Sequence, residues 1–100
     1  GEAAALLPDR KMLALVWRYL DAANPVQESP VCLCRKIVRW SGKPLNLGQM
    51  LTCLDIFRDV GLLTVQRQHK YVSIRLTPGE GKADLSRSQT MQRLLHAKES

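Results

Sequence analysis

Three features of this 100-residue chain predict an α+β fold of the winged helix-turn-helix class: a three-helix core, a two-stranded β-hairpin wing and an extra C-terminal helix. Asn46 and Gln49 have the spacing of an N-cap and its capping-box partner. The helical run LGQMLTCLDIFRDV follows and stops at Gly61, where a left-handed residue can end a helix. Two β-rich runs, Leu62–Arg67 and Lys70–Leu76, come next, separated by a short polar turn. A helix feeding directly into a two-stranded ribbon is the second half of a winged helix. The expectation is therefore a binding module and not an enzyme.

Each element has its own signal. Residues 1–7 read as a linker or disordered end, 8–97 as the domain and 98–100 as a frayed tail. Pro8 suits a first helical turn. Met12, Leu13, Val16, Trp17 and Leu20 share one arc, so 8–22 reads as an amphipathic helix ending at Asn24–Pro25. Ser29–Pro30 is an N-cap followed by a first-turn proline. In the helix from 30 to 41, Leu33, Cys34, Ile37, Val38 and Trp40 form one side, with Arg35, Lys36 and Arg39 on the other. The helix 46–60 is apolar around a wide arc, with Gln49, Thr52, Asp55 and Asp59 as its polar strip. In the hairpin, alternation points Leu63, Val65, Val72, Ile74 and Leu76 inward, with the tip at Gln68–His69. Thr77 to Gly81 reads as a loop, and 83–97 as a last helix with Leu85, Met91, Leu94 and Leu95 on one side. Trp17 and Trp40 fall within apolar arcs and are expected in the core.

Composition narrows the partners. The formal net charge of +6 favours anionic partners, nucleic acid or an acidic peptide. No apolar run approaches the ~18 residues that span a bilayer. The first residues lack a basic n-region and a long apolar stretch, so no signal peptide is expected, and a start without Met reads as a piece of a longer chain. Three cysteines without a disulfide pattern point to a reducing compartment, the cytoplasm.

The sequence carries little catalytic chemistry. Cys32 and Cys34 lie about 200° apart on a helix, so their thiolates do not converge on one zinc ion. No GxSxG, HExxH or Walker A motif occurs. The basic strip is the best candidate: Arg35, Lys36, Arg39 and Lys43, with a second group on the wing, Arg67, His69, Lys70 and Arg75. Both would attract phosphates or carboxylates in a salt-sensitive way. The bland alternative is a solvated face that keeps the domain soluble. In helix-turn-helix readers of duplex DNA the second motif helix enters the major groove. Here that helix exposes Asp55 and Asp59, which repel phosphates, so sequence-specific duplex readout is not expected. Tyr71 is the aromatic residue placed for stacking on the outward phase of the wing.

The stretch MLTCLDIFRDVGLLTVQ resembles the terminal winged-helix domain of the single-stranded-DNA-specific exonuclease RecJ of Gram-positive bacteria. The segment Lys82-Ala-Asp84-Leu85-Ser-Arg-Ser88 is similar to that family's Lys-x-x-Leu-x-x-Ser signature, and PDRKMLALVWRYL to its first helix. One departure is Met91–Gln92, where the family often has an aromatic residue. The resemblance implies a piece of a larger 5′-to-3′ nuclease whose two divalent ions, manganese or magnesium, sit in DHH-type domains. None of those motifs is present here, so this fragment is expected to be inert and to have no cofactor. The resemblance further implies an accessory role in DNA repair and recombination, engaging single-stranded DNA or the acidic tail of single-stranded-DNA-binding protein, beside the catalytic domains of its parent chain. Two rivals stand beside it. One is a free-standing duplex-binding regulator that dimerises through its last helix. The other is a protein–protein adaptor.

Overall fold

Local capping fixes where the helices begin. The computed structural model describes residues 8–77 and 88–99. Helix α1, Arg10–Ala23, starts after Asp9, whose Oδ1 accepts the Met12 backbone N–H at 2.7 Å. Asp9 is thus the cap, and Pro8 lies buried before the helix instead of within its first turn. Helix α2, Pro30–Ser41, is capped as expected by Ser29, which accepts from Cys32 N–H, with Pro30 at the first helical position. Helix α3, Leu47–Asp59, carries the full capping box. Asn46 Oδ1 accepts from Gln49 N–H at 2.7 Å, and Gln49 Oε1 accepts from Asn46 N–H at 3.2 Å. Two orphan donors are satisfied reciprocally.

The end of α3 is equally explicit. Leu62 N–H reaches back to Phe57 C=O and Gly61 N–H to Arg58 C=O, each at 3.0 Å. Those two bonds make a Schellman motif, which needs a left-handed residue between them. Gly61 supplies it at φ +79°. Buried Leu62 then delivers the chain into the sheet.

The sheet differs from the expectation. Strands β2, Leu63–Gln68, and β3, Tyr71–Leu76, form the predicted antiparallel hairpin, with Leu63 opposite Leu76 and Gln68 opposite Tyr71. The turn is His69–Lys70, one residue later than predicted. A third strand, β1, Val26–Glu28, pairs with the other edge of β3, giving the order β1-β3-β2. A three-residue run between two helices is too short to show a period of two, so β1 exists only through its pairing. Asn24 Oδ1 accepts the Leu76 backbone N–H at 3.1 Å, tying the entry to β1 to the far end of β3.

One core joins these layers. Leu13, Val16 and Leu20 of α1 meet Leu33 and Ile37 of α2 and the enclosed side of α3, including Met50, Cys53 and Phe57. Val26, Leu63, Val72 and Ile74 close it from the sheet. Trp17 packs edge-on against Phe57 with ring centroids 5.3 Å apart. Trp40 corrects the expectation. It shares the phase of Leu33 on α2 but is 53% exposed, because its cover at that end of the helix is the edge of the Tyr19 ring, 5.7 Å away. Thr52, assigned above to the polar strip, is buried and its hydroxyl donates to Gly48 C=O at 2.9 Å.

Helix α4, Gln89–Glu99, packs on α3. Its helical backbone runs to Glu99, into the tail expected to fray, and begins after Ser88, a non-helical position inside the helix expected over 83–97. The expected linker 1–7, most of the loop 77–81 and the signature residues Lys82 to Leu85 lie outside the described residues.

Candidate functional site

Helix α2 brings Arg35, Lys36 and Arg39 to the border of one hollow, and Lys36 alone of the three is ion-paired among the described residues. Arg35 and Arg39 are exposed and one turn apart. They border a hollow of about 570 Å³ between α2 and the entry to α3, floored by Val31, Val38, Leu45 and Leu47. Val31 is 50% and Leu47 36% exposed, a high value for aliphatic side chains beside a core. Neither arginine is ion-paired among the described residues.

Lys36 also borders this hollow but is already engaged. Its ammonium is hydrogen-bonded and ion-paired with Glu28 at the end of β1. That hydrogen bond, followed by the Coulomb attraction of the same carboxylate, raises the lysine pKa above its ordinary value. Burial, and then the same carboxylate, raise the pKa of the neighbouring Tyr19 hydroxyl. The pairing joins residues eight apart through the strand that sequence patterning did not reveal. Lys43 is exposed beyond the helix end, its backbone N–H donating to Ser41 Oγ at 3.1 Å, and it does not line the hollow.

The hairpin residues divide as well. Arg67 lies opposite Val72, and Arg75 opposite Thr64. Residues opposite one another in an antiparallel pair share a face. Arg67 thus continues the inward row of Leu63 and Val65 to the turn end of the hairpin, while Arg75 is on the outward face. The alternation already carried that signal. Across the sheet, Glu28, Val72 and Arg67 occupy one row of three strands. Arg67, His69 and Lys70 gather around a second hollow of about 210 Å³, backed by Pro30 at the start of α2 and Leu51 of α3. Tyr71 donates its hydroxyl to Gln68 Oε1 at 2.6 Å.

The exposed strip of α3 carries Leu47, Leu51, Asp55 and Arg58, the last two ion-paired at 3.3 Å. Such an exposed pair stabilises little, but it neutralises the single base on that strip. Asp59 is turned to a different use. Its carboxylate accepts from the Ser88 hydroxyl and the Thr90 backbone N–H at the start of α4.

The thiols are structural neighbours of the core. Cys34 donates to Leu45 C=O at 3.3 Å, and burial raises its pKa. Burial pushes Cys53 up to about 12, and Cys32 is exposed. Among the described residues no group of three or more His, Cys, Asp or Glu side chains is placed to hold a metal ion. Nor is any helix among them long and apolar enough to cross a membrane. The arrangement can hold carboxylates or phosphates by charge and apolar groups by burial. No protein-family model, curated protein or solved structure matches the chain.

Proposed function

We propose that this chain is a non-catalytic winged-helix accessory module that captures an acidic partner segment in the groove between α2 and α3. One observation carries the reading: two arginines with no ion pair among the described residues, Arg35 and Arg39, stand beside exposed Val31 and Leu47 in a single hollow. Charge draws an anion there, and aliphatic surface rewards a partner with apolar side chains. Nucleic-acid bases stack on aromatic platforms, and among the described residues no aromatic side chain lines this hollow. The groove thus favours an acidic tail over single-stranded DNA.

The helix–strand–helix–helix–strand–strand order supports the winged-helix assignment. Through the motif resemblance, the parent would be a RecJ-like exonuclease of the cytoplasm, acting in repair and recombination. The acidic segment would be the tail of single-stranded-DNA-binding protein, and the divalent ions would belong to catalytic domains elsewhere in the parent. The Asp55–Arg58 pair on α3 disfavours the duplex-reading regulator.

Titration of labelled single strands, duplex and acidic peptide at two salt concentrations tests the function. We expect the peptide to bind, with affinity falling as salt rises and falling about five- to thirtyfold in Arg35→Gln/Arg39→Gln. Sequence-selective duplex binding would establish the regulator instead. Failure of every anion to bind would leave the adaptor.

A further inference from the structure

We propose that the captured segment is an extended peptide, acidic at both ends and aliphatic in the middle, that lies across both hollows at once. This rests on the acidic-partner reading and extends it.

The two hollows are neighbours by covalent geometry. Val31 lines the first and Pro30 the second, and consecutive Cα atoms are about 3.8 Å apart. On α3, Leu47 lines the first and Leu51 the second, one turn and about 6 Å further along the axis. From the C-terminal end of α2 the surface therefore runs from Arg39 and Arg35, past Val31, Leu47 and Leu51, to the hairpin cations Arg67 and Lys70. The order is cation, aliphatic, cation. Among the described residues no carboxylate lines either hollow.

Length and chemistry follow from that order. Helix α2 rises about 13 Å between Arg39 and Pro30, and the hairpin turn lies beyond. At about 3.3 Å per extended residue, a segment on the order of seven residues reaches from the arginines to the hairpin. Carboxylates complement each end. Leu-, Ile- or Val-like side chains fit the middle, where Val31 and Leu47 are exposed and aliphatic.

Fluorescence anisotropy on the whole chain tests this with three labelled probes. They are the peptide Asp-Asp-Asp-Leu-Ile-Leu-Asp-Asp-Asp, a trimmed form lacking the second acidic run, and an oligothymidylate. Circular dichroism confirms that each variant is folded. We expect Arg67→Gln/Lys70→Gln and Arg35→Gln/Arg39→Gln each to weaken the full peptide about five- to thirtyfold. The trimmed peptide should respond to one double variant alone. If the full peptide binds, needs Arg35 and Arg39, but stays within about twofold in Arg67→Gln/Lys70→Gln, the two-hollow path is wrong and the groove reading survives. If oligothymidylate binds more tightly than the peptide and loses affinity in the same variants, the occupant is nucleic acid and the peptide proposal is overturned. If no probe binds, both proposals fall together.

Discussion

The Ser88 hydroxyl donates to Asp59 Oδ2 at 2.8 Å, so the last residue of α3 holds the first turn of α4. The same carboxylate oxygen accepts the Thr90 N–H at 3.0 Å, and Ser88 Oγ accepts the Met91 N–H at 3.2 Å. Two donors at the start of α4 are thereby satisfied by residues 31 and three positions away. Ser88 is fully buried in this arrangement.

Removing either member should loosen α4. Asp59→Ala and Ser88→Ala should each destabilise the domain by about 1–2 kcal/mol, the cost of a lost helix cap. The double variant should cost less than the sum, because both substitutions break one network. Denaturant melts of the four proteins measure this. Additive losses would show that the two side chains act separately.

Acid should weaken the same junction. Burial by itself raises the Asp59 pKa, but the hydrogen bonds from Thr90 and Ser88 and the nearby Arg58 charge outweigh it and hold the carboxyl below its ordinary 3.8. A carboxylate depressed in the folded state contributes stability fully above its unfolded pKa and loses it as pH falls through the folded value. The stability gap between the native chain and Asp59→Asn should therefore be complete above pH 3.8 and shrink below it. A gap that stays constant through that window would refute the linkage.

Thiol reactivity should report the core. Thiolates are the reactive species, and Cys53 is buried with its pKa pushed up to about 12. Cys34 is also buried, its thiol donating to Leu45 C=O. Under native conditions an alkylating reagent should modify Cys32 first, with Cys34 and Cys53 reacting on unfolding. Mass spectrometry of a time course decides the order. Native labelling of Cys53 ahead of Cys32 would contradict the enclosed face of α3.

Glu28 should act as a brake on the groove. Its carboxylate occupies Lys36, which borders the hollow. Glu28→Gln should leave that ammonium free and tighten binding of the acidic peptide about two- to fivefold. Stability should change little, since an ion pair with a solvent-exposed lysine contributes little. Unchanged affinity would mean that Lys36 does not face the bound peptide.

Much of the fold was legible because its signals are local. The Asn46–Gln49 box, the Ser29–Pro30 start and the Gly61 stop are each complete within a few residues, and each is realised where the spacing placed it. The hairpin alternation likewise named Leu63, Val72 and Ile74 as core residues. Strand β1 carried no such signal, because three residues define no period and its hydrogen bonds come from β3. Of the candidate site, the residue types were legible but their grouping was not. Arg35, Lys36 and Arg39 look equivalent on a helical wheel, and only the arrival of Glu28 separates Lys36 from the arginines.

The sequence alone determined the caps of α2 and α3, the hairpin and the positive charge, since these depend on neighbours within about one or two turns. Tertiary structure alone decided that Trp40 stands exposed, that Asp59 grips α4, and that Arg35, Arg39, Val31 and Leu47 meet in one groove. Each of those facts depends on which distant surface arrives to cover a side chain. Local propensity fixes the phase of a side chain along its own element, but packing between elements settles what that side chain meets.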